Sequence, residues 1–346
     1  MTKHDHHIDE VFMQRTFELA LLGKGNVSPN PLVGSVIVHD GKMIGEGWHK
    51  KYGEAHAEVN AVRSVEDKSM LAQSTVYVNL EPCSHTGKTP PCADMLIEHK
   101  VKKVVVANLD SNPLVAGNGI KKLRAAGIEV VTGILEKQGR ELNKRFFTFI
   151  EKQRPYIILK WAETSDGFIA RENFDSKWIS NEYARQLVHK WRSEEDGILA
   201  GARTIAYDNP QLNVRDWSGR DPVRIVLDRF LKLSTKLHVF DKKQRTICYN
   251  VMKHEEHTNL SLIRVDESDF IRNVVTDLYK QKIQSVIVEG GAATLSMFIE
   301  NDLWDEARIF IAPQKFGKGI PAPRHRGTLV EQQTIAGDSL NFYRAG

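Results

Sequence analysis

The tightest constraint on this chain is a set of four residues in three segments: His56 and Glu58 in His56-Ala57-Glu58, Cys83 after Pro82, and Cys92. One imidazole, two thiols and a carboxylate two residues after the imidazole are the parts of a hydrolytic zinc site. Catalytic zinc takes three protein ligands and leaves its fourth position for water, and a nearby carboxylate moves the protons. The three segments must therefore meet. His56 and Glu58 fall in the first turn of a helix expected over Glu54–Glu66, with Val59, Ala61, Val62 and Val65 inward. Cys83 follows a short strand, Thr75–Leu80. Cys92 opens a helix with Met95, Leu96 and Ile97 as its apolar positions. Helix N-termini directed at the thiols favour thiolate.

The neighbouring segments supply a layered scaffold for that meeting. An apolar stripe (Val11, Phe12, Leu19, Leu22) predicts a helix over Ile8–Leu22, stopped by Gly23 and Gly25. Leu32–Val38 reads as a strand, Asp40-Gly41 as a hairpin turn, and Lys42–Trp48 as the partner strand. Further on come a strand (Lys103–Ala107), a loop (Asp110–Gly119), a helix (Ile120–Ala126), a strand (Ile128–Thr132) and a charged helix (Leu135–Lys152). Strands alternating with helices give an α/β domain. The boundary is set near Arg154-Pro155, with domains at 1–150 and 151–346.

A second strand–helix series follows. Strands are expected at Tyr156–Trp161, Gly167–Ala170, Ile198–Ala200, Val223–Leu227, Thr246–Tyr249, Ser285–Val288 and Ala307–Ala312. Helices are expected at Asn181–Glu195, Phe270–Gln281 and Ala292–Leu303. Between Arg229 and Val265 no motif stands out, and Cys248 has no arguable role.

Composition removes several alternatives. The 346 residues carry 48 basic and 44 acidic side chains, a net charge of +4 that is interspersed, so a nucleic-acid partner is not expected. Three cysteines make no disulfide framework and favour a reducing compartment. No segment has the apolar length of a membrane span or a signal peptide, so a soluble cytoplasmic protein is expected. The His4, His6 and His7 cluster reads as a frayed tail ahead of the first helix.

His-x-Glu, Pro-Cys and a later Cys form the arrangement of zinc deaminases that act on bases. Eight residues lie between Cys83 and Cys92, where the common pattern has two. A structural zinc site would show a fourth Cys or His ligand, and none is evident. Two rivals remain: an RNA or nucleoside deaminase with an appended binding domain, and a zinc-stabilised binding module in which Glu58 is dispensable.

Asn30-Pro31-x-Val33-Gly34, His49 to His56-Ala57-Glu58, and Glu81-Pro82-Cys83-Ser84-His85-x-Gly87-Lys88-Thr89-Pro90-Pro91-Cys92 resemble the deaminase half of the bifunctional riboflavin-biosynthesis deaminase/reductase family, in which the long Cys-to-Cys spacing is the rule. The resemblance implies a three-layer, cytidine-deaminase-like fold, with His56, Cys83 and Cys92 as zinc ligands and Glu58 as proton shuttle. It also implies that Asn30, His49, Lys88, Asp110 and Asn112 line the site of a phosphorylated pyrimidine.

Glu289-Gly290-Gly291 follows an apolar strand and opens a helix, a place where free N–H groups can meet phosphate. Alone it is as readily a tight turn. Lys160-x-Ala162-x-x-Ser165-Asp166-Gly167, Ser176-Lys177-Trp178-Ile179-Ser180 and Arg203-Thr204-x5-Asn209-Pro210-x-Leu212 join it in resembling the reductase half of the same family, whose fold is similar to dihydrofolate reductase. This implies NADPH contacts from Ala162, Trp178, Thr204, Asp208, Gly291, Ala292, Ala293, Thr294, Leu295, Ser296 and Met297. Substrate contacts would come from Ser176, Arg192, Leu212, Arg215 and Glu289. Asp208 is the expected proton-handling group. The family also implies a homo-oligomer, dimer or tetramer, assembled through the second half.

Overall fold

Short β-branched strands buried on both faces set the architecture of the first half. The computed structural model describes residues 3–84, 90–112, 116–176 and 179–346. Lys88, Trp178 and the side chains of His4 and His6 lie outside the described residues. The chain divides into two units, Met1–Lys152 and Gln153–Gly346.

In the first unit helix α1 (Lys3–Leu21) precedes the hairpin β1 (Gly34–His39) and β2 (Lys42–Trp48). The expected polar tail is instead the first turn of α1. Asp40 and Gly41 both take positive φ, the conformation a two-residue hairpin turn requires. Then come α2 (Ala57–Ser64), β3 (Thr75–Leu80), α3 (Cys92–Glu98), β4 (Lys103–Asn108), α4 (Asn118–Ala125), β5 (Glu129–Thr132), α5 (Glu136–Leu142) and α6 (Lys144–Lys152).

The sheet order is β2-β1-β3-β4-β5, antiparallel through β2, β1 and β3 and parallel onward. Residues two apart share a face. Val76, Val78, Val104 and Val106 pack with Ala61, Val62, Leu96, Ile120 and Leu123 of α2, α3 and α4. Tyr77, Val105 and Ala107 pack on the other face with Met13, Phe17 and Leu19 of α1. The result is three layers.

The single helix expected over Leu135–Lys152 is two. It breaks at Asn143, whose Oδ1 accepts from the Leu32 N–H at 2.8 Å and whose Nδ2 donates to the Leu32 carbonyl at 2.9 Å. Asn79 holds the same stretch, donating to the Leu32 carbonyl and accepting from the Gly34 N–H, each at 2.8 Å. These two amides fix the segment that follows Asn30. Asn143→Ala leaves the Leu32 N–H unpaired, while the carbonyl keeps its Asn79 bond, and such a loss costs about 1–3 kcal/mol. The expected result is a first unit destabilised by that order in urea unfolding; an unchanged midpoint would refute it.

The second unit opens with β6 (Tyr156–Thr164) and β7 (Phe168–Ala170), then α7 (Glu182–Glu194), β8 (Gly197–Gly201), α8 (Ala202–Asp208) and β9 (Val223–Leu227). It continues with β10 (Thr246–Asn250), β11 (Glu255–His257), β12 (Leu260–Arg264), α9 (Phe270–Lys280), β13 (Ser285–Val288), α10 (Ala292–Glu300), β14 (Glu306–Ala312), β15 (Ile320–Pro321), β16 (Thr328–Ile335) and β17 (Asp338–Arg344). Ten strands form one sheet, ordered β11-β12-β10-β9-β8-β13-β6-β14-β17-β16, while β7 pairs with β15. Its centre is parallel, and such strands are buried on both faces. One face packs on α9 and α10 and the other on α7 and α8.

Cys248 belongs to the second of these cores, and burial pushes its thiol up to about 12, an inert packing residue. The hairpins β11–β12 and β16–β17 were not anticipated. Strand β16 is exposed along nearly its whole length, so no in–out alternation marks it. Among the described residues no helix is long and apolar enough to cross a membrane.

Candidate active sites

In the first unit, three element ends deliver the zinc-type donors to one point. His56 is the N-cap of α2, one position before its first turn, and Cys92 is the first residue of α3. Cys83 lies three residues past β3. The His56 Nδ1 stands 3.5 Å from the Cys83 Sγ and 3.4 Å from the Cys92 Sγ. All three donor atoms lie within 4.8 Å of one another. The Cys83 sulfur also accepts the Cys92 N–H at 3.3 Å.

Electrostatics mark the same point. Cys83 is pulled down to about 4, first by the Cys92 thiol that donates to it, against burial, with His56 adding. His56 is raised, chiefly by its bond to Cys83. Cys92 is pushed up as the donor of that pair. A divalent cation would take both sulfurs as thiolates. Borderline-soft donors at this spacing, N and two S, fit zinc.

Glu58, in the first turn of α2, is buried. Burial and then the Cys83 thiolate push its carboxyl up to about 7, with His56 opposing. That is the range in which a carboxyl can both take and give a proton near neutrality.

His49 and Asn30 stand beside this centre, with the His49 and His56 rings 5.7 Å apart. The His49 Nδ1 lies 3.1 Å from the Ala55 carbonyl, so it carries the proton and its Nε2 accepts from the Asn30 Nδ2 at 3.1 Å. Burial lowers the His49 pKa and keeps the ring neutral. Asp110 and Asn112 lie together in the loop after β4, where the Asn112 N–H donates to the Asp110 Oδ1 at 2.8 Å.

The second unit holds a cavity of about 350 Å³ where β6, β8 and β13 end. Ligands of open α/β sheets bind at such strand ends. Of the expected residues, Ala162, Ser176, Arg192, Thr204, Asp208, Arg215, Glu289, Gly291, Ala292, Ala293 and Thr294 line it. Leu212 and Leu295 do not; they are buried in the cores. Ser296 and Met297 lie further along α10, away from the lining, and Met297 packs on the core.

The cavity floor is charged. Arg192 grips Glu289 with two bonds, Nε at 2.7 Å and Nη2 at 2.8 Å, and donates Nη1 to the Asn213 carbonyl at 3.1 Å. Lys160 sits 4.0 Å from the same carboxylate. Burial would raise Glu289, but Arg192 and Lys160 hold it down at about 2. Arg192 is thus committed to Glu289, whereas the Arg215 side chain is 53% exposed and only loosely paired, 3.7 Å from Asp216.

Lys160 and His189 are among the lining residues that were not assigned a role from sequence. Lys160 stood inside a recognised motif without a role. His189, one turn before Arg192 on α7, accepts the Arg215 N–H at its Nδ1, and burial with Arg192 and Arg215 lowers it to about 4. A His at that spacing carries no signal of its own.

A histidine, two cysteines and a buried carboxyl beside an α/β sheet define a zinc deaminase in the first unit, and the second α/β unit adds a ligand-binding cavity at its strand ends. Residues 6–108 match the cytidine and deoxycytidylate deaminase zinc-binding region, and residues 155–336 match the RibD C-terminal domain. The chain belongs to the riboflavin biosynthesis protein RibD family: a bifunctional enzyme, deaminase and reductase, that uses zinc and NADPH. It is 41% identical over 319 residues to riboflavin biosynthesis protein RibD of Aquifex aeolicus, covering 90% of this chain and 89% of that one. The Escherichia coli RibD is 36% identical over 328 residues, covering 89% of each. A crystal structure of a diaminohydroxyphosphoribosylaminopyrimidine deaminase/5-amino-6-(5-phosphoribosylamino)uracil reductase from Thermotoga maritima superposes with a TM-score of 0.92 at 39% identity, covering 99% of this chain and all of that one.

Proposed function

We propose that residues 1–150 deaminate 2,5-diamino-6-ribosylamino-4(3H)-pyrimidinone 5′-phosphate, and that residues 151–346 reduce its ribosyl group to ribityl. The product is 5-amino-6-ribitylamino-uracil 5′-phosphate. The observation that carries the first step is the approach of His56 Nδ1 to both cysteine sulfurs beside a buried Glu58. When bound, zinc supplies Lewis acidity and lowers the pKa of water. His56, Cys83 and Cys92 hold it. Glu58 takes a proton from the attacking water and passes one to the leaving nitrogen, which departs as ammonia. Neutral His49 and Asn30, hydrogen-bonded to each other, orient the pyrimidine, with Asp110, Asn112 and Lys88 completing its pocket.

In the second unit NADPH supplies hydride when bound. Thr204, Asp208 and the Gly291–Thr294 turn, with Ala162 and Trp178, are its contacts. Ser176, Arg192, Arg215 and Glu289, which line the cavity, hold the substrate. Arg215 is the better-placed arginine for the 5′-phosphate, since the Arg192 fork is already paired with Glu289. Asp208, the exposed last residue of α8, handles the proton at the cavity edge. The chain assembles as a homo-oligomer, dimer or tetramer, through this unit.

Metal removal tests the division of labour. Chelation should abolish ammonia release while NADPH oxidation by the deaminated intermediate continues at its original rate. Loss of both activities together, or neither, would refute the assignment.

A further inference from the structure

Glu81 ends the strand that leads to Cys83 and is 4% exposed. A buried carboxylate is costly unless its oxygens are satisfied. Among the described residues no cation pairs with it. Its four partners are instead backbone N–H groups of the segment after β4. Oε1 accepts from Gly119 at 2.9 Å and Ile120 at 3.3 Å. Oε2 accepts from Gly117 at 2.9 Å and Asp110 at 3.3 Å.

Gly117 is the N-cap of α4 and has no side chain to offer. Glu81 therefore performs that capping from another strand, with charge-assisted bonds that exceed neutral ones in strength. The same loop meets the residue after Glu81, because a Cβ on Gly119 would fall 2.1 Å from the Pro82 carbonyl. The Glu81 N–H donates to the Asn108 carbonyl at 2.9 Å, which extends the β3–β4 pairing to the start of the loop.

The chain thus spans from a loop anchor to a metal ligand in two residues, Glu81 to Cys83. We propose that Glu81 is a positioning residue of the deaminase: its carboxylate sets where Asp110 and Asn112 stand relative to the zinc ligands, and so where the pyrimidine ring lies over the metal. This deepens the substrate-contact reading of Asp110 and Asn112 and rests on it.

Glu81→Gln keeps the shape but turns an amide N–H₂ toward backbone donors. Misplacing contact groups by about 1 Å can cost on the order of a hundredfold. The expected result is a KM for the pyrimidine nucleotide raised about tenfold or more, a kcat changed by less than about threefold, and one zinc per chain retained. Glu81→Asp, which reaches fewer of the four donors, should fall between. Gly119→Ala pushes the start of α4 off the Pro82 carbonyl with the Glu81 carboxylate chemically unchanged, and should raise KM in the same way. Unchanged KM in Glu81→Gln, or zinc loss parallel to the activity loss, overturns the inference. Asp110→Ala run alongside separates the two failures. Unchanged KM there overturns the substrate-contact reading and this inference with it; raised KM there but not in Glu81→Gln overturns the inference alone.

Discussion

Replacing Glu58 by Gln should lower the deaminase kcat by about 10²–10⁴-fold, the range general acid–base catalysis contributes, while zinc stays bound and the reductase step is untouched. The expectation follows from where the carboxyl sits. It is in the first turn of α2, two residues after His56, and is buried. A carboxylate in that place is shielded from bulk solvent, so it exchanges protons with the reacting groups, the attacking water and the leaving nitrogen. Gln matches its volume and keeps the cavity filled, but can neither accept nor release the proton. Burial, with the Cys83 thiolate, pushes the carboxyl up to about 7 in the metal-free chain, the direction that helps it hold a proton between transfers. Ammonia release and zinc content measured on the same preparation decide the case. Full deamination by Glu58→Gln with zinc bound would take the proton-transfer role away from Glu58.

The zinc donors were legible because each sits at a local landmark. A strand end, a helix cap and a helix start are all visible in short windows, and only their convergence had to be supplied by the fold. The break at Asn143 was not legible, since its cause is Leu32, 111 residues away. A polar residue inside an amphipathic pattern reads as helix until its tertiary partner is known. The reductase cavity was legible only through resemblance. Its walls come from β6, α7, α8 and the β13–α10 turn, and none of these segments carries a self-sufficient motif. Leu212 and Leu295 show the limit of transferring contacts residue by residue: both match the pattern, yet their side chains fill the cores. Glu81 was visible as part of Glu81-Pro82-Cys83, but its role depends on four N–H groups that only the folded loop presents.

The largest loss in the second unit is expected from Glu289→Ala. Arg192 and Lys160 are both buried against this carboxylate, and the three charges sum to one positive charge on the cavity floor. That residual charge suits an anionic nucleotide. Removing Glu289 leaves two buried cations facing each other, and breaking such a pair costs about 3–5 kcal/mol. Glu289→Ala should therefore unfold the second unit at much lower urea and abolish NADPH oxidation, with ammonia release retained by the first unit. Acid gives an independent reading. Holding a mostly buried carboxyl, 11% exposed, at about 2 instead of 4.5 is worth up to about 3 kcal/mol. Because the folded value is the lower one, that stability is present above about pH 4.5 and is lost as pH falls toward 2. Urea midpoints at pH 7 and pH 3 should therefore separate for the wild-type chain and draw together in Glu289→Gln, which has no proton to bind there. An Ala variant as stable as wild type, or a Gln variant with the full wild-type acid sensitivity, would show that the Arg192–Glu289–Lys160 cluster does not carry the load assigned to it.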